Sequence, residues 1–157
     1  MKTKEEKFSY YEGGLEEFVA EALITKDTLL KRIIAVATQD LIEDLQDLGI
    51  MIDEQYKHTL DNSAVRHTVN IHGSDKEKLR GQIPVNEQDF LLIPDIVSSY
   101  DSISTEKNRR DQDLIIYTKT MLDGTTFYVE EVRLKRRELA ACTLYKRKKE
   151  DSPTLIE

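Results

Sequence analysis

Between residues 15 and 48, apolar side chains return every three or four positions: Leu15, Phe18, Val19, Ala22 and Leu23, then Leu30, Ile33, Ile34, Leu41, Ile42, Leu45 and Leu48. That spacing keeps one stripe on a helix of 3.6 residues per turn. It predicts a helical region over residues 1–50, broken near Lys26-Asp27 and stopped by Gly49. "EQYKHTLD" (54–61) reads as a short strand, and "AVRHTVNIH" as a helix capped by Asn62 or Ser63 and ended by Gly73. In "NEQDFLLIPDIVSSYD", Asn86 and Asp89 fall at N-cap and N3, an acidic form of the capping box, so a helix distorted at Pro94 is expected.

After residue 112 the period changes from helical to twofold. "DLIIYTKTML-DG-TTFYVEEVRL" is two β-rich runs joined by Asp-Gly, a hairpin signal, and "ELAACTLYKRK" follows as a third antiparallel strand. A two-residue turn at Asp123-Gly124 sets Lys119 opposite Tyr128, Tyr117 opposite Glu130 and Ile116 opposite Glu131. Alternation then puts Leu114, Ile116, Thr118, Phe127 and Val129 on a core face, with Ala140, Cys142 and Leu144 added from the third strand. The other face receives Tyr117, Lys119, Tyr128, Glu130, Thr143, Tyr145 and Arg147. The expected fold is α+β: helices, 62–72 among them, packed on one face of an antiparallel sheet of strands 112–122, 125–134 and 138–148. Residues 51–149 form that domain, 1–50 an added acidic helical region, and 150–157 a frayed tail.

A chain of 157 residues suits one core. No apolar run approaches the roughly 20 residues that span a bilayer, and no secretory segment opens the sequence. The single Cys142 excludes an internal disulfide and a multi-cysteine metal site, so a cytoplasmic protein without membrane contact is expected. The net charge of -7 conceals an asymmetry. Residues 1–50 carry six Lys/Arg against eleven Asp/Glu, whereas residues 107–149 carry twelve against six. A basic C-terminal third presents a local field that attracts polyanions despite the acidic total.

His58, His67 and His72 lie within fifteen positions. Zinc ligands on one helix face sit at i and i+4, but His67 and His72 are five apart, so no metal is expected, and no cofactor motif is present. On a helix from Ala64 to His72, His72 falls near the centre of the apolar stripe, buried or capping, and His67 toward its edge. The face carrying Tyr117, Tyr128, Tyr145, Lys119 and Arg147 interleaves cations with aromatics, as nucleic-acid surfaces do. Ordinary solvated sheet faces also favour Tyr and Thr, and the pattern alone leaves both readings open.

Three blocks, "HTLDNSAVRHTVNIHG", "RGQIPVNEQDFLLIPDIV" and "DGTTFYVEEVRLKRRELAACTLYKRKK", together resemble the phage-associated barnase–EndoU–colicin–RelE-like nuclease domains over residues 54–149. These domains occur in phage and mobile-element proteins, often at the C-terminus of head-morphogenesis proteins. The resemblance implies helices on an antiparallel sheet and a toxin-like ribonuclease that cleaves RNA by metal-independent acid–base chemistry. It implies His67 or Glu130 for proton transfer, and Lys119, Arg133 and Arg147 for phosphate. Tyr117, Tyr128, Thr143, Tyr145 and Arg66 would contact substrate. RNA is then the partner, with an immunity-type protein inhibitor as a second. The alternative is a non-catalytic nuclease-like module that holds a protein or nucleic acid, its acidic N-terminus docking on a basic surface.

Overall fold

The computed structural model describes residues 8–148 apart from 75 and 80. The expectation of a frayed tail at 150–157 therefore lies outside the described residues. In chain order the elements are β1 (Phe8–Tyr10), α1 (Leu15–Ile24), β2 (Leu29–Val36), α2 (Gln39–Asp47), β3 (Lys57–Asp61), α3 (Asn62–His72) and α4 (Lys76–Leu79). There follow β4 (Gln82–Ile83), α5 (Glu87–Phe90), α6 (Ile93–Ser99), β5 (Ser102–Lys107), β6 (Asp113–Thr120), β7 (Gly124–Arg133) and β8 (Glu138–Lys148). The strands make one sheet in the order β1-β2-β3-β8-β7-β6-β5, with β4 paired to β8. It is mixed and not purely antiparallel, because β1 runs parallel to β2 and β3 parallel to β8.

Local chemistry explains most boundaries. Thr38 caps α2 by accepting from Leu41 N–H at 3.1 Å. The Asn86/Asp89 capping box is present at α5, and Pro94 sits in the first turn of α6, where its missing N–H is not needed. The cap of α3 is Asp61, whose carboxylate accepts from Ala64 N–H at 2.7 Å. Asn62, expected there, is fully enclosed instead: its amide donates to Thr25 and Thr28 carbonyls and accepts from Leu30 N–H, tying α3 to the start of β2.

Residues 29–36, expected as helix, are strand β2. The run holds three β-branched residues, Ile33, Ile34 and Val36, which suit a pleated surface. Its pairing with β3 slips between Ile33 and Ala35, a bulge that adds one residue on β2. The bulge leaves Lys31, Ile34 and Ala37 buried at intervals of three, which imitates a helical stripe.

The β6–β7 pairing also departs from expectation. Tyr117 faces Tyr128 and Lys119 faces Thr126, two residues away from the expected register, because the connection spans Met121 to Asp123 before β7 begins at Gly124. A shift of two preserves the faces. The core assignment is nevertheless inverted. Ile115, Tyr117, Tyr128, Glu130, Val132, Leu139, Ala141 and Leu144 are buried, joined in one cluster by Phe18, Leu41, Val65, Phe90 and Ile96 from the helices. Leu114, Ile116, Phe127, Val129 and Cys142 are half-buried on the opposite face.

A second bulge completes the rearrangement. Val129 faces Thr143 while Glu130 faces Ala141, so Cys142 is the extra residue in β8. Beyond it the strand changes parity. Leu144 turns to the core, and Thr143, Tyr145 and Arg147 turn to the half-buried face beside Phe127.

Candidate nucleic-acid interface

On the half-buried face, Phe127 and Tyr145 stand directly opposite each other, and Arg147 faces Thr125 two pairs along. Their flat groups form a row. The Phe127 and Tyr145 rings stack at 4.9 Å with 3° between planes, and the Arg147 guanidinium carbon lies 5.1 Å from the Phe127 centroid. The His72 ring extends the row from Tyr145 at 5.5 Å. Position 73 fixes that histidine. A Cβ there would meet Val69 O at 2.5 Å and Val85 O at 3.1 Å, so only glycine lets α3 end and the following chain return against it. Val85 N–H then donates to His72 O at 2.7 Å.

The imidazole is oriented from below. His72 Nδ1 lies 2.5 Å from Glu77 Oε1, and the Glu77 side chain is fully buried. An ionised carboxylate only accepts, so against an ionised Glu77 it is Nδ1 that donates, and Nε2 is left free of this contact. Two polar atoms on this face, Thr143 Oγ1 and Gln82 Oε1, are buried and have no hydrogen-bond partner among the described residues. Gln82 pairs with Arg147 across β4 and β8, which puts it on the same face. Buried polar atoms cost free energy when unpaired, so each of the two is open to a polar group of a ligand laid along this face.

The residues expected to form a site do not gather in one place. Tyr145, Arg147 and Thr143 come together in the row. Tyr117, Tyr128 and Glu130 are in the core: Glu130 Oε1 accepts from the Tyr117 hydroxyl at 2.6 Å, and His58 Nδ1 lies 2.6 Å from Oε2. Burial, then the charge of Glu130, pushes both phenols well above their ordinary value, so they remain protonated. His67 is exposed on α3, without a hydrogen bond among the described residues. Arg66 spends its guanidinium on the Thr25 carbonyl. Lys119 donates to Ser99 O at 2.6 Å and to its Oγ at 2.9 Å. Arg133 lies toward the opposite end of the face, its Nε 3.0 Å from Glu131.

Phe127, Gln82 and Glu77 were not expected at a site. Phe127 carried a signal, since the inverted faces bring it out with Tyr145. Nothing in the pattern around Glu77 or Gln82 announces a role. Among the described residues, no group of three His, Cys, Asp or Glu is placed to hold a metal ion. No helix among them is long and apolar enough to cross a membrane.

The family described as phage-Barnase-EndoU-ColicinE5/D-RelE like nuclease3 matches the chain over residues 34–152. No curated protein and no solved structure matches it.

Proposed function

The chain belongs to this nuclease family, and from that premise we propose that it is a ribonuclease whose substrate lies across the row Arg147–Phe127–Tyr145–His72. The observation that carries the reading is the His72–Glu77 pair at one end of a row of two stacked rings whose other end is a cation. Bases splayed from a single strand extend or cover the aromatic row, while Arg147 meets phosphate. Thr143 and Gln82 offer polar atoms to ribose or base edges.

The chemistry needs no metal in this reading. His72 Nε2 takes the proton of a ribose 2′-hydroxyl, and that oxygen attacks the adjacent phosphorus. Arg147, two rings away along the row, holds a neighbouring phosphate of the same strand and so fixes its register over His72. The P–O5′ bond breaks, leaving a 2′,3′-cyclic phosphate; the departing 5′-oxygen takes a proton from water, and the imidazolium then gives its own proton to the hydroxide that remains. Glu77 holds the tautomer and stabilises the imidazolium formed in between.

The test uses single-stranded RNA and DNA of one sequence, each with and without a chelator. RNA cleavage unaffected by chelation, with DNA left intact, is the expected result. DNA cleavage, or cleavage lost on chelation, removes the 2′-hydroxyl mechanism. Wild-type protein that binds RNA but never cuts it leaves the non-catalytic module.

A further inference from the structure

Where β7 turns into β8, the same face carries a second cationic feature. A recess of about 420 Å³ is lined by Tyr10, Gln55, Lys57, Arg136, Arg137 and Glu138, among others. Its one carboxylate is already engaged: Lys31 Nζ lies 3.0 Å from each Glu138 oxygen, and Arg133 approaches at 3.8 Å. Lys57 makes no ion pair among the described residues, and Arg137 donates to the neutral amide of Gln55. The recess is therefore cationic, with the half-exposed Tyr10 ring at its wall.

Arg137 occupies the left-handed region at φ 53. Glycine or asparagine would fill that turn position with less strain, so an arginine there is kept at a conformational cost. The register joins this end to the other: Arg133 pairs with Glu138, Glu131 with Ala140, Val129 with Thr143 and Phe127 with Tyr145, all on one face. From Glu138 to Tyr145 the strand covers about 20 Å.

We propose that this recess is a second phosphate-binding subsite, which Lys57 and Arg137 use to hold the backbone of a single-stranded RNA whose other end lies on the His72 row. The inference rests on the ribonuclease reading and adds substrate length to it. Short oligonucleotides reach one end only; longer ones reach both and bind more tightly.

The probe is 2′-O-methyl RNA, which lacks the nucleophilic hydroxyl, at lengths of about 4 and about 16 nucleotides, spanning the usual range for single-strand sites. Binding is measured by fluorescence anisotropy across a salt series for wild type and for the double variant Lys57→Ala/Arg137→Gly. Removing two phosphate contacts is expected to weaken the long probe about tenfold or more and to flatten its log–log salt slope by about 1.4. The short probe is unaffected. Thermal melting of Arg137→Gly checks the fold, and its Tm is expected to equal or exceed wild type because strain is relieved. Unchanged affinity and slope for the long probe overturn the subsite. Loss of long-probe affinity in the variant, with no cleavage of unmodified RNA by wild type, keeps the subsite and overturns the catalytic reading. Wild type that binds neither probe overturns both.

Discussion

His58 Nδ1 and Glu130 Oε2 meet at 2.6 Å in the interior, both side chains sealed from solvent, although 72 residues separate them in the chain. Glu130 also accepts from Tyr117, so one carboxylate satisfies two buried donors on β3 and β6. This junction belongs to the core. Glu130→Ala, which strands both donors, is expected to destabilise the protein by about 3–5 kcal/mol. Tyr117→Phe removes one hydrogen bond to a charged group and is expected to cost about 1.5–3 kcal/mol. Urea denaturation at neutral pH measures both. Losses near zero would mean that the junction is open to water.

That junction also shows how far the sequence could be read. The helix ending at Gly73, the Asn86/Asp89 capping box and the three C-terminal strands follow from local rules, and each is present. The face assignment inverted because alternation sorts side chains into two sets without saying which is inside. Ile116, Phe127 and Val129 looked like the core set. Tyr117, Tyr128 and Glu130 take that place because His58 and the helices complete them, and those partners are distant in sequence. The bulges at Ile34 and Cys142 carry no signature of their own, yet the first disguised a strand as a helix and the second moved Tyr145 and Arg147 across the sheet. Its position on the apolar stripe alone marks His72 as buried or capping. Glu77, reached only after the chain turns at Gly73, gives it an oriented nitrogen.

Cys142, the extra residue of the β8 bulge, has its thiol pushed up to about 11 by burial, then by the charge of Glu131. A raised pKa means less thiolate at any given pH below it. At pH 8 the reactive form is about a hundredfold scarcer than for an ordinary thiol. Iodoacetamide is therefore expected to modify folded protein slowly and urea-unfolded protein quickly, and Cys142→Ser to leave RNA cleavage intact. Rapid labelling of the folded protein would contradict the burial of this strand.

The aromatic row makes a separate demand on binding. Phe127→Ala removes a stacking surface worth about 1–3 kcal/mol per base, so affinity for a non-cleavable RNA is expected to fall about 5- to 150-fold. Arg147→Ala is expected to weaken binding and to flatten the salt slope by about 0.7, one phosphate contact on a single strand. Tyr128→Phe, altered in the core, is expected to leave RNA affinity unchanged. If Tyr128→Phe weakens binding while Phe127→Ala does not, the substrate lies on the other face.

The most direct measurement is the initial rate of RNA cleavage by His72→Asn beside wild type and His67→Ala. Asparagine places an N–H donor near Nδ1 and keeps Glu77 satisfied, but it cannot take a proton at neutral pH. With the fold and the affinity for 2′-O-methyl RNA retained, His72→Asn is expected to lower the rate about 10²- to 10⁴-fold, and His67→Ala to leave it near wild type. A His72→Asn protein that cleaves at the wild-type rate, or a His67→Ala protein that has lost cleavage with its binding intact, would contradict the assignment of proton transfer to His72.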